Sequence, residues 1–175
     1  MRRKTFSPAF ITAILIALTS LIFCLVFYLQ ANNVKSIYGK DIRLAVYELN
    51  ELTGKVPELV ESGTYEDIVK TAARFEALTD AGLLHPDIDS ARLAAADSLY
   101  AYAEGVLSGR YSDSAMKLLS DDALSASDDL RLLVQHAISS LADSNTTKMD
   151  RNYFKSMNAG TRLYKELSLL ASNAD

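Results

Sequence analysis

Residues 10 to 29 form a run of 20 positions without a charge, in which Thr12, Thr19, Ser20 and the Tyr28 hydroxyl are the only polar side-chain groups. At a helical rise of ~1.5 Å per residue the run spans ~30 Å, the thickness of a bilayer's hydrocarbon core. Arg2, Arg3 and Lys4 precede it; the acidic, helix-forming residues 31–175 follow. A cleaved signal has a shorter apolar centre, ~7–15 residues, and a small-x-small cleavage site. Here the run ends in the bulky Phe27, Tyr28, Leu29 and Gln30, and Leu29-Gln30-Ala31 is a poor site. Cys24 follows Phe23 and precedes more apolar residues, unlike a lipidated cysteine, so it reads as an apolar residue facing lipid. The expected organisation is a short basic tail (1–8), a single transmembrane anchor (9–30) and one folded unit (31–175).

Charge sets the orientation. Basic residues favour the cytoplasmic side, so Arg2, Arg3 and Lys4 place the N-terminus in the cytoplasm and the C-terminal domain outside. That describes a single-pass plasma-membrane protein of bacterial type. Lys35, Lys40 and Arg43 on the far side, mixed with Asp41, weaken the bias without reversing it. Residues 31–175 carry 15 basic and 22 acidic side chains, a net of −7. With no basic stripe, nucleic acid is not an expected partner. The same net charge argues against the outer domain lying on anionic lipid. Cys24 is the single cysteine, so the outer domain has no disulfide and must hold by packing.

The outer domain reads as all-α: the span is followed by an antiparallel bundle of four to five helices. Asn32 and Asn33 mark the membrane exit. Val34, Ile37, Tyr38, Ile42, Ala45, Val46, Leu49 and Leu52 then recur at three- and four-residue steps, one apolar stripe continuous with the anchor. Gly54 is placed to stop that helix, with Pro57 beyond it; Gly39 is a weak point inside it. A second helix starts at Thr64, where Thr64 and Asp67 resemble a capping box, and stops at Gly82. A third starts at His85-Pro86-Asp87 with Asp87 as cap and ends at Gly109. The fourth starts near Ser112 or Asp113, with a weak patch at 125–129 that could divide it. Residues 144–147 read as a loop. A fifth helix runs from about Asp150 to Ala171, with Gly160 a close-packing point.

Chemistry is sparse. His85, Asp87 and Asp89 bring donors close together, but helix starts prefer Asp for local hydrogen bonding, and a capped turn is the simpler reading. His136 lies beside the apolar stripe with no nucleophile at helical spacing. Asp121-Asp122 and Asp128-Asp129 lack the alternating donors, glycine and terminal glutamate of an EF-hand, and read as a solvated helix face. Phosphate-cradling, nucleophile-elbow, zinc-protease and CxxC motifs are missing. Hence no catalytic residue, cofactor or metal is assigned, and no enzyme is expected.

Nine tyrosines and no tryptophan remain. Amphipathic aromatics line grooves and interfaces, and they equally fill bundle cores with the hydroxyl at the rim. Tyr100, off the stripe of the third helix, and Tyr111, in the following turn, are the candidate partner or ligand contacts. In outline the span and Asn32-Asn33-Val34-Lys35-Ser36-Ile37-Tyr38-Gly39 are loosely similar to the first helix of bacterial chemoreceptor sensors. The anchor-plus-helices plan is also similar to the N-terminal part of bacterial spore-germination membrane proteins. Neither likeness assigns a residue a role. The expected function is a membrane-anchored interaction module that binds or scaffolds a protein partner, or a second copy of itself. The alternative is a ligand-sensing or ligand-carrying bundle that works with a separate signalling protein.

Overall fold

The computed structural model describes residues 8–78, 84–143 and 145–173. They form six α-helices and no strand: α1 (Pro8–Ser62), α2 (Tyr65–Ala77), α3 (Pro86–Ser108), α4 (Asp113–Leu141), α5 (Thr146–Ser156) and α6 (Arg162–Ala171). The chain is all-helical, with one helix more than the sequence suggests. Arg2, Arg3 and Lys4, on which the orientation rests, lie outside the described residues, as do Gly82 and Ser144.

α1 runs unbroken for 55 residues, a length of ~80 Å. Its first half is long and apolar enough to cross a membrane, with an 18-residue window of mean hydropathy 2.5 and none of that window buried. The packed half begins only at Gly39. From there Ile42, Ala45, Val46, Leu49, Leu52 and Val56 enter the core. Val34, Ile37 and Tyr38, expected on the same inner stripe, are instead exposed.

Gly54 does not stop α1, and Pro57 sits inside it. Nothing packs against Gly54, so no contact forces a turn there. A proline in a helix leaves the carbonyl four residues back without its donor. That carbonyl belongs to Thr53, and Ser127 of α4 supplies a substitute: its Oγ donates to the Thr53 oxygen at 3.4 Å, with both residues buried. Ser127 also explains why α4 does not divide at 125–129. The polar patch keeps helical period, with Ser127 inward against α1 and Ser125 and Asp128 outward.

Local capping sets most other boundaries. Thr64 Oγ1 accepts the Asp67 N–H at 3.3 Å and donates to its carboxylate at 2.6 Å. α3 starts two residues earlier than expected. His85, not Asp87, is its cap, and Pro86 takes the first turn, where a missing N–H costs nothing. Gly109 ends α3 and Ser112 caps α4, both as the sequence suggests. The last expected helix is two. Asn145 caps α5, so residues 146–147 are helical rather than loop. The chain then turns at 157–161, and Thr161 caps α6. Gly160 is thus no packing point: it has φ +94° and open space around it, a backbone turn that L side chains resist.

α1 packs on α4 and α5 and, less extensively, on α2; α3 lies between α2 and α4, and α6 rests on α4, α3 and α5. Gly39 lets α5 approach: a Cβ there would stand 1.8 Å from the Asp150 carbonyl oxygen. Arg43 Nε then donates to Asp150 Oδ1 at 2.6 Å across the same seam. On the far side Arg92, almost fully buried, closes the end of α2. It donates to the carbonyls of Phe75 and Glu76 and is held by Asp89 at 2.6 Å.

Candidate functional site

A buried polar cluster lies where the start of α3 meets α6. His85 is fully buried. Its Nδ1 accepts the Asp87 N–H at 3.2 Å, and its Nε2 lies 3.1 Å from the Tyr164 carbonyl oxygen, which can only accept. Together these set a neutral ring with the proton on Nε2. Burial pushes the His85 pKa below the ordinary histidine value, against the smaller opposing pull of Asp87 and the Tyr164 carbonyl. The Tyr164 ring covers it at 4.0 Å between centroids. Ser168 Oγ donates to Asp87 Oδ2 at 2.8 Å, tying α6 to α3.

Serine, aspartate and histidine meet here, but not as a nucleophile and its base. A serine nucleophile needs histidine at its oxygen and the carboxylate behind the histidine. In this cluster Ser168 is bonded to Asp87, and both ring nitrogens of His85 are committed to backbone groups. The cluster is a joint between two helices.

Beside the joint, a groove of about 300 Å³ opens between α3, α4 and α6. Ala91, Ala94 and Ala126 line it with Leu132, Leu133 and Leu170, and Asp87, Ser90 and Asp129 stand among them. Alanine at these positions is what makes the gap, since small side chains on facing helices leave the space that leucines would fill. No tyrosine lines it.

The remaining sequence candidates are dispersed. His136 is partly exposed and bonds Glu166 at 3.2 Å, linking α4 to α6; Arg162 lies 2.6 Å from the other oxygen of that carboxylate. Arg162 first, and His136 second, hold the Glu166 carboxyl below the usual carboxylate range. Asp121, Asp122 and Asp128 are exposed, and among the described residues no group of three or more His, Cys, Asp or Glu could hold a metal ion. Tyr100 is half-buried in the α2–α3 seam, its hydroxyl 3.3 Å from Glu76. Burial, and then the Glu76 charge, raise its pKa. Tyr111 is 53% exposed in the α3–α4 turn, with Leu107 64% and Val106 39% exposed just before it. Tyr102 is half-buried and donates to the Val60 carbonyl at 2.8 Å, satisfying an end of α1.

Helical spacing places Tyr153 on the inner face of the last expected helix, and it is inward; the depth of its hydroxyl is what spacing does not give. Tyr153 is fully buried between α5 and α1, and its hydroxyl has no hydrogen-bond partner among the described residues. Burial drives its ionisation far upward, so it stays a neutral phenol. Its only sequence signal was a place in the helical stripe, which does not separate a rim tyrosine from a buried one.

No protein-family model, curated protein or solved structure matches the chain. Its chemistry must therefore be read from its own geometry. That geometry holds a joint, an open groove and an exposed apolar turn, and assembles no acid–base–nucleophile set among the described residues.

Proposed function

We propose that the chain is a membrane-anchored extracytoplasmic helical bundle that binds a partner protein at the membrane. The observation that carries this reading is the α3–α4 turn, where Val106, Leu107 and Tyr111 present apolar and aromatic surface. Aromatic anchors of this kind dominate interface energetics, and a turn at the end of two packed helices presents them on a rigid support. The uncovered first half of α1 supports the anchor, with the basic N-terminal cluster setting its direction. A second reading, a ligand-sensing bundle, draws on the α3–α4–α6 groove, whose apolar walls and few polar groups suit a small molecule.

Affinity purification of the full chain from detergent extracts separates them. A Leu107→Ser, Tyr111→Ala variant should lose the co-purifying protein while keeping its melting temperature. An Ala91→Leu variant, which fills the groove, should keep it. Loss of the partner only in the groove-filled variant would move the function to the groove. A partner retained by both variants would exclude the α3–α4 turn.

A further inference from the structure

The acidity of the outer domain is not evenly spread. Residues 31–43 and α5 carry six basic and two acidic side chains, and the remainder of residues 31–175 carries nine basic and twenty acidic. These two basic segments pack on each other. Gly39 lies under the Asp150 carbonyl, Arg43 pairs with Asp150 at 2.6 Å, and the Tyr38 and Phe154 rings stand 6.5 Å apart. α5 also separates its faces: Asp150 and Tyr153 turn inward, while Lys148, Arg151 and Lys155 recur at i, i+3 and i+7 on another face. Lys148 is paired with Asp143 at 2.9 Å. Lys35, Lys40 and Lys155 make no ion pair among the described residues, and Lys40 and Lys155 are exposed.

Height above the membrane follows from the continuity of α1. Helical rise puts Lys35 ~9 Å and Gly39 ~15 Å along the helix beyond Leu29, the last residue of the apolar run. The headgroup layer occupies ~5–8 Å on each side of the hydrocarbon core, and charges act over a further ~10 Å at ordinary salt. α5 descends along this stretch, with Asp150 at Arg43 and Phe154 at Tyr38, so Lys155 and the turn after it point toward the span. On the same stretch Val34, Ile37 and Tyr38 are 48%, 61% and 45% exposed. Apolar and aromatic side chains interleaved with lysine are the composition of a membrane interface.

We infer that the base of the domain, where Lys35, Lys40, Ile37 and Tyr38 stand around the foot of α1 and Lys155 at the end of α5, rests on the anionic phospholipid headgroups of the membrane that α1 enters. The inference deepens the anchored reading above and rests on it. Net charge points the other way only when it is averaged over the domain. The acidic remainder is repelled by the same surface that attracts the basic end, so both parts favour one pose. The domain is then held by its base, with the α3–α4 turn directed away from the lipid.

The test uses the full chain in the Cys24→Ser background, carrying a fluorophore at Asn158→Cys beside the basic end or at Ser112→Cys in the α3–α4 turn. Each is reconstituted in vesicles of phosphatidylcholine alone or with phosphatidylglycerol, and headgroup-nitroxide lipid serves as quencher. Quenching at 158 should rise with phosphatidylglycerol and fall back in high salt, while 112 stays unquenched. Lys35→Glu, Lys40→Glu, Lys155→Glu should reduce the docked fraction by on the order of tenfold or more without lowering the melting temperature. Quenching at 158 that ignores lipid charge, or that survives the triple reversal, would overturn the inference while leaving the anchor standing. Release of the chain from vesicles by alkaline carbonate would overturn the anchor, and the inference with it.

Discussion

The two halves of α1 share one backbone and obey opposite side-chain rules. Before residue 39, leucines and phenylalanines stand uncovered all round the helix; after it, Ile42, Val46, Leu49, Leu52 and Val56 are buried on one side while Lys55 and Glu58 face out. Under the proposed anchoring the first half needs only length and the absence of charge, because lipid accepts any apolar surface. The second half needs a specific partner at every turn: Gly39 for α5, Arg43 for Asp150, Thr53 for Ser127. A helix with no turn between its halves therefore joins a segment that tolerates change to one that does not.

Charge insertion breaks the comparison most sharply. Leu49→Asp places an unpaired carboxylate at a fully buried position and should cost about 4 kcal/mol or more, unfolding the outer domain while the chain stays in the membrane. Ile14→Asp with Leu18→Asp should do the reverse. Each central carboxylate costs ~3 kcal/mol of insertion, so membrane retention fails while the outer domain keeps its helical circular dichroism and its melting transition. If the Leu49 variant melted like the parent, the packing assigned to the second half would be wrong.

Next in size is the joint between the halves. Gly39→Ala puts a methyl group 1.8 Å from the Asp150 carbonyl oxygen, backbone that cannot swing aside. α5 must move as a unit, at about 3 kcal/mol. Hydrogen exchange should then speed up in α5 and stay slow in the span. Unchanged protection of α5 would show that the two helices do not need this close approach.

How much of this was legible follows from where each signal resides. The long apolar helix, the caps at Thr64 and Ser112 and the stop at Gly109 depend on residues a few positions apart, and all could be read. The α5–α6 turn left a signal that periodicity obscured. The buried positions step from Met157 to Leu163, six residues and out of helical phase, and Gly160-Thr161 pairs a turn glycine with a helix cap. By contrast, α1 passes Gly54 and Pro57 because of a hydroxyl 74 residues away, which no local rule contains. The joint at His85 was hidden similarly, since Tyr164 and Ser168 are 79 and 81 residues from their partners. The uneven charge needed the fold too: Lys155 comes to the same end of the domain as Lys35 and Lys40 only when α5 packs on α1.

The His85 joint predicts a pH dependence confined to the packed domain. Its folded pKa lies below the ordinary 6.5, so the unfolded chain binds the extra proton. Stability is then complete above about pH 6.5 and falls as pH drops from there toward the folded pKa, with a slope of at most about 1.4 kcal/mol per pH unit for one group. Asp87 lies 3.5 Å from Nδ1 and softens the slope. Urea melts of His85→Gln between pH 7.5 and 5.5, roughly the range in which histidine titrates, should show a flatter line than the parent. Parallel lines would remove the histidine as the cause.

The smallest effect tests how the packed half carries a proline in the helix interior, where the first half has one only at its start. In the parent, Ser127→Ala removes the donor that serves the Thr53 carbonyl and should cost about 1 kcal/mol, since that oxygen is buried and Pro57 offers it nothing. Pro57→Ala restores a backbone N–H in register with Thr53, so the hydroxyl becomes redundant. In that background Ser127→Ala should cost close to nothing, giving a coupling energy of about 1 kcal/mol between residues 70 positions apart in sequence. If the two substitutions were additive in chemical denaturation, Ser127 would be a buried serine that merely fits. α1 would then owe its passage through Pro57 to apolar packing alone, with the Thr53 carbonyl left without a donor inside the core.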